Sequence, residues 1–211
     1  MLREIAGPAG RLEALLDEPD ASWRGNGPHA AVVLAHPLTT QGGTMHTKAV
    51  YQTAKALSRI GCAVLRFNFR GAGASAGAFD EGRGEMDDFR AAMDFVANRY
   101  PDAPLWTGGM SFGSWIAMTS GASDARVSTL IGIATAATHY DFDAVATSPK
   151  AKFFVHGERD EICPLKDVRA LYARAAEPKE LVVIDAADHL FDGKVSEVAD
   201  AIEDLLGDWQ S

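Results

Sequence analysis

A serine with glycine two residues to either side can serve as a nucleophile, and the chain carries that pattern twice, at Gly109-Met110-Ser111-Phe112-Gly113 and at Gly73-Ala74-Ser75-Ala76-Gly77. A serine hydroxyl attacks poorly unless a base sits beside it and the substrate can reach it. The spacing makes physical sense where a strand delivers the serine into a sharp turn and a helix leaves it, because backbones then nearly touch at the flanking positions. Ser111 has that context, with the apolar run Leu105–Thr107 before it and helix-like Ser114–Thr119 after it. Ser75 runs instead into a flexible loop carrying Gly77, Gly82 and Gly84, and reads as a turn residue. A third pattern, Gly71-x-Gly73-x-x-Ala76, imitates a dinucleotide fingerprint. That fingerprint must open a helix whose N-terminus meets the pyrophosphate, and the same glycines prevent it.

A serine nucleophile needs a base and an acid that orients it. His189 is the only histidine after the last apolar run, Leu181–Ile184, within Asp185-Ala186-Ala187-Asp188-His189-Leu190-Phe191. Asp160 follows the run Phe153–Val155, four residues before Pro164. His189 would take the Ser111 proton and later return it to the leaving group, with Asp160 holding its tautomer. Glu158, Glu161 and Asp185 are within reach of the same region, and Asp143 lies in the preceding loop, so the acid stays open among them with Asp160 first. The Phe112 N–H, at the helix start, would face the developing oxyanion. A second donor is expected from His36-Pro37-Leu38-Thr39-Thr40-Gln41-Gly42-Gly43. Pro37 has no N–H, which leaves Leu38 first and Thr39 behind it. His36 and His156 end strands and read as loop anchors, and His29 and His46 as surface or cap residues. No His, Cys or Asp cluster has metal-ligand spacing, and neither metal nor cofactor is expected.

These residues need a scaffold that brings separate loops to one edge. Short apolar runs recur at Ala31–Ala35, Cys62–Phe69, Leu105–Thr107, Leu130–Ala134, Phe153–Val155 and Leu181–Ile184, too continuous for half-exposed strands. Helical patterns lie between most of them: Ala49, Val50, Thr53, Ala54 and Leu57; Met86, Phe89, Met93 and Val96; Leu165, Val168, Leu171 and Tyr172; Val195, Val198, Ile202 and Leu205. Leu2–Ala6 and Arg11–Leu16 flank Pro8-Ala9-Gly10 as an antiparallel hairpin. Alternating strands and helices imply an α/β fold with a mostly parallel, doubly wound sheet, whose ligands bind at the carboxyl ends of the strands. No linker, repeat or composition shift divides the chain, so one domain over residues 1–211 is expected.

Hydrophobic residues make up 47% and charged residues 23%, which excludes disorder. Twenty basic against twenty-nine acidic residues give a net charge of -9, which argues against a nucleic-acid partner. Cys62 and Cys163 cannot form a disulfide framework; buried thiols are expected, with one incidental bridge left open. The first residues are charged and no stretch approaches the ~20 apolar residues of a membrane span, so a cytoplasmic protein without membrane contact is expected.

Ala-His-Pro-Leu…Gly-Gly-Thr-Met, Leu-Arg-Phe-Asn-Phe-Arg-Gly-Ala-Gly-Ala-Ser, Gly-Met-Ser-Phe-Gly, His-Gly-Glu-Arg-Asp and Asp-His-Leu-Phe together resemble the compact bacterial α/β-hydrolases of the serine carboxylesterase type, over almost the whole chain. That fold orders its catalytic residues Ser, acid, His, as here. The related dienelactone hydrolase branch uses a cysteine where Ser111 stands, and the haloalkane dehalogenase branch an aspartate. Many relatives carry His-Gly where this chain has His36-Pro37. The resemblance implies esterase activity; spacing alone implies acyl transfer. Capped relatives insert the cap after the fourth core strand, but here about 15 residues separate Ala136 from Lys152. An uncapped, open site suits small to medium esters. Leu38, Thr39, Phe112, Tyr140, Phe142 and Leu190 are the expected pocket residues. The competing readings are a thioesterase, acyltransferase or small-amide hydrolase on the same residues, or a non-catalytic binding protein. The expected partner is a small-molecule ester; a homodimer stays open.

Overall fold

The computed structural model describes residues 2–209. Eight strands form one sheet: β1 (Glu4–Gly7), β2 (Gly10–Asp17), β3 (Ala31–Ala35), β4 (Ala63–Phe67), β5 (Leu105–Met110), β6 (Val127–Ile133), β7 (Ala151–Gly157) and β8 (Lys179–Ile184). Their order is β1-β2-β4-β3-β5-β6-β7-β8. β1 and β2 form an antiparallel hairpin, β2 joins β4 antiparallel, and every other neighbouring pair is parallel. Parallel pairs need crossovers, which α1 (Lys48–Arg59), α2 (Arg83–Arg99), α3 (Phe112–Ser123), α4 (Asp143–Thr147) and α5 (Leu165–Arg174) provide, with α6 (Val195–Leu206) after the last strand. This is the α/β-hydrolase fold.

The two faces of the sheet bury two apolar clusters, and residues alternate between them with the strand period of two. Val32 and Leu34 of β3 face the cluster closed by α1 and α6, whereas Ala31, Val33 and Ala35 face the one closed by α2 and α3. Burial on both faces is why these strands read as continuous apolar runs. The connection from β6 to β7 holds only the five-residue α4, so no cap domain covers the strand ends.

The strands extend beyond several of the apolar runs. β5 continues through Gly108, Gly109 and Met110; a Cβ at Gly108 would lie a tight 3.1 Å from Ile131 Cβ on the neighbouring strand, and glycine relieves that crowding. β4 stops at Phe67, short of the run Cys62–Phe69, as the chain then turns and the Asn68 side chain accepts the Met45 N–H at 2.8 Å. Both cysteines are buried and free.

Candidate active site

Ser111 stands between β5 and α3 with φ 54° and ψ -121°. A side chain held there costs about 1–3 kcal/mol and persists only where its surroundings overdetermine it. They do so here. The Ser111 N–H donates to Ile133 O at 2.9 Å, and Ser111 O accepts from the Ser114 N–H at 2.9 Å and the Ser114 hydroxyl at 2.6 Å. The flanking glycines are required by close backbone approach. A Cβ at Gly109 would lie 2.2 Å from Gly113 O, and one at Gly113 would lie 2.4 Å from His36 O. The turn thrusts the Ser111 side chain outward at the carboxyl end of the sheet.

His189 comes from the loop after β8 and Asp160 from the loop after β7. Gly157 lets these loops touch, since a Cβ there would lie 2.6 Å from Ala187 O. The Arg159 N–H donates to Ala187 O at 2.8 Å and the Ala186 N–H to Glu158 Oε2 at 2.8 Å. Asp188 Oδ1 accepts the N–H groups of Leu190 at 3.1 Å and Asp192 at 3.0 Å, which fixes the turn carrying His189.

The result is one hydrogen-bonded chain. His189 Nδ1 lies 2.8 Å from Asp160 Oδ2, and His189 Nε2 lies 3.0 Å from Ser111 Oγ. A carboxylate can only accept, so a neutral His189 carries its proton on Nδ1 and turns the Nε2 lone pair toward the serine hydroxyl. Asp160 Oδ1 is occupied by the N–H groups of Ile162 at 2.9 Å and Cys163 at 2.7 Å. Burial opposes ionisation of Asp160, but the hydrogen bonds from His189 and the Cys163 N–H outweigh it, and the carboxyl lies below its ordinary range. Such an arrangement can move the serine proton to the imidazole and stabilise the resulting imidazolium.

Leu38 and Thr39 lie in the loop after β3, which tightens into a short helical turn as Gly43 and Gln41 donate to Leu38 O at 3.0 and 3.1 Å. His36, wholly buried, anchors this loop. Its Nε2 accepts the Phe69 N–H at 3.0 Å, so Nδ1 donates to Pro37 O at 2.6 Å. Burial pushes its pKa down to about 4. His156 is buried likewise and bonds to the Thr135 N–H and Cys163 O. Among the described residues, the backbone N–H groups of Phe112 and Leu38 have no hydrogen-bond partner. Phe112 opens α3, where a helix leaves its N–H groups free.

The expected pocket residues separate. Leu190, 56% exposed, borders an open groove of about 440 Å³ beside His189, together with Arg159, Glu161 and Ile162. Ile162 is also exposed, and no motif in the sequence marks it. Tyr140 is half-buried and stacks on Trp115 with ring centroids 4.3 Å apart. Phe112 is buried and turns its edge to Tyr140. Phe142 is buried at the start of α4, in the same apolar cluster as Val145 and Ala146, and does not border this groove. Among the other acids, Glu158 brackets the loops, Glu161 borders the groove, Asp185 is exposed, and Asp143 pairs with Arg174.

The Ser75 hydroxyl is engaged in structural hydrogen bonds. It donates to Asn68 O at 2.6 Å and accepts the Glu13 N–H at 2.9 Å, clasping the loop after β4 to β2. Sequence spacing gave no sign of a further neighbour: Cys163 Sγ, an Asp160 carboxylate oxygen and a His189 ring nitrogen all lie within 4.8 Å of one another.

The model of the family described as serine aminopeptidase, S33 (Hydrolase_4) matches residues 26–152. The chain is 36% identical over 209 residues to the uncharacterized protein RP471 of Rickettsia prowazekii (strain Madrid E), spanning 95% of this chain and 86% of that one. It superposes on XC6422 from Xanthomonas campestris, described as an α/β serine hydrolase without lid, with TM-score 0.88, 33% identity and coverage of 95% and 90% of the two chains. An esterase domain of a Rhodothermus marinus protein gives TM-score 0.75 at 25% identity, covering 98% of this chain and 95% of that one.

Proposed function

The chain belongs to the Hydrolase_4 family (serine aminopeptidase, S33), a family of α/β hydrolases, and from that premise we propose that it hydrolyses small to medium carboxylic esters through an acyl-Ser111 intermediate. The observation that carries this reading is His189 bridging Ser111 Oγ and Asp160 Oδ2 at 3.0 and 2.8 Å. In the proposed mechanism Ser111 Oγ attacks the ester carbonyl as its proton passes to His189 Nε2. Asp160 stabilises the imidazolium. The N–H groups of Phe112 and Leu38 receive the oxyanion. His189 then protonates the departing alcohol, and a water activated by the same imidazole releases the acid. The open groove with Leu190 and Ile162 favours short acyl or alkoxy groups over long lipids, because nothing covers a long chain.

Amide hydrolysis is the second reading, favoured by the family description and by the Glu161 carboxylate on the groove, which can meet a substrate ammonium group although Arg159 borders the same groove. One experiment tests both. Purified protein is expected to hydrolyse p-nitrophenyl acetate and butyrate faster than aminoacyl p-nitroanilides, with Ser111→Ala lowering kcat by on the order of a millionfold. A Ser111→Ala protein with unchanged turnover refutes the mechanism, and preference for the anilides selects the second reading.

A further inference from the structure

We propose that Asp160, Cys163 and His189 form a binding site for a thiophilic divalent metal ion, zinc foremost, and that occupancy switches the hydrolase off. The inhibition rests on the proposed role of His189; the binding does not. One carboxylate oxygen, one thiol sulfur and one ring nitrogen lie within 4.8 Å of one another, and all three residues are buried. Zinc takes thiolate, imidazole and carboxylate ligands, at about 2.0 Å to nitrogen and oxygen and about 2.3 Å to sulfur, in tetrahedral geometry. Those bonds place ligand atoms roughly 3.3–3.5 Å apart, so the sulfur, now within 4.8 Å of the other two, must draw in while Asp160 Oδ2 and His189 Nδ1, now 2.8 Å apart, part slightly. A fourth, water position can open to the groove bordered by Ile162, His189 and Leu190.

The rest of the molecule supports the placement. Asp160 and Cys163 belong to one turn, tied by the Cys163 N–H to Asp160 Oδ1 bond of 2.7 Å, so two ligands arrive preorganised. The proposed mechanism gives the Cys163 side chain no task.

The thiol proton leaves to solvent as the metal–sulfur bond forms. The imidazole proton moves from Nδ1, which becomes a ligand, to Nε2. The Asp160–His189 hydrogen bond is replaced by two bonds to the metal. Nε2 now donates toward Ser111 Oγ and can no longer accept its proton.

The test uses the full chain, reduced, with Co²⁺ as a coloured probe and Zn²⁺ as competitor and inhibitor. Wild type and Ser111→Ala are expected to bind one Co²⁺ with a sulfur-to-cobalt charge-transfer absorption that Zn²⁺ abolishes. Cys62→Ala retains the band. Cys163→Ala and Cys163→Ser lose it and need at least tenfold more Zn²⁺ for half-inhibition of p-nitrophenyl butyrate hydrolysis. Two Cys163 variants guard against one misfolding, and circular dichroism identifies the folded one. A wild type without the band overturns the proposal, as does a band that survives Cys163→Ala or equal zinc sensitivity in wild type and variant. If the band behaves as expected but no ester is cleaved, the metal site stands and the esterase reading falls. If esters are cleaved and no band forms, the reverse holds.

Discussion

Asp160→Asn isolates the proton bookkeeping of the site, because the structure dictates how the new amide must sit. Asp160 Oδ1 accepts two backbone N–H groups, from Ile162 at 2.9 Å and Cys163 at 2.7 Å. Only an oxygen can accept there, so the asparagine carbonyl is held in that position and its NH₂ is turned to His189 Nδ1. Two donors cannot face each other at 2.8 Å. His189 therefore moves its proton to Nε2, and at 3.0 Å from Ser111 Oγ that nitrogen donates where it previously accepted. A wrong tautomer of this kind costs ~10⁴ in kcat, or about 5 kcal/mol of transition-state stabilisation. Substrate binding in the groove is untouched, so KM changes little. The assay is steady-state hydrolysis of p-nitrophenyl butyrate, with ¹⁵N chemical shifts of the His189 ring reporting the tautomer. A variant keeping a tenth of wild-type kcat, or one with Nδ1 still protonated, refutes the reasoning.

His36 is buried with its pKa at about 4, below its unfolded value, so the folded state resists protonation. The unfolded chain binds this proton first as pH falls below 6.5; stability contributed by neutral His36 is complete above that pH and shrinks toward pH 4 by about 3 kcal/mol. Urea melts from pH 7 to 4 measure it, and a slope unchanged in His36→Gln refutes it. Gly113→Ala places a methyl 2.4 Å from His36 O and 2.7 Å from Ala35 O, both backbone atoms that cannot swing aside. It should cost about 1–3 kcal/mol of stability and displace Ser111, read as a lower Tm and at least a hundredfold lower kcat; a wild-type Tm would show the contact is relieved cheaply. Ser75→Ala removes the clasp to Asn68 O and the Glu13 N–H, costing about 1–3 kcal/mol, yet a fluorophosphonate probe should still label Ser111 at the wild-type rate. Labelling that disappears with Ser75 would reverse the choice of serine.

The site was legible where backbone geometry constrains sequence. Gly109 and Gly113 announce the turn because Gly113 O and His36 O occupy the space of their side chains, and a strand ahead separates this motif from its twin at Ser75. Asp160 and His189 could be placed because each follows a doubly buried strand, and parallel strands deliver their following loops to one edge. Phe142 is hard to place from sequence because α4 is too short to leave a periodic pattern; its ring lies in the core cluster and away from the groove beside His189. Trp115 and Ile162 carry no motif; only the stacking on Tyr140 and the exposure beside His189 mark them. Cys163 joins Asp160 and His189 through a loop conformation and a neighbouring strand, which no linear spacing encodes.

The position of β8 has a consequence for how the molecule fails. Ser111 follows β5, an interior strand, whereas His189 follows β8, which pairs with β7 alone. Edge strands peel away in partial openings that leave the middle of a sheet intact. Each such excursion parts the imidazole from the serine while the rest of the domain stays folded. On the proposed mechanism, catalysis and foldedness are expected to have different thresholds: under rising denaturant, turnover should fade while the spectroscopic signature of the central strands persists, and amide exchange near Val182 and Val183 should run ahead of that in β5.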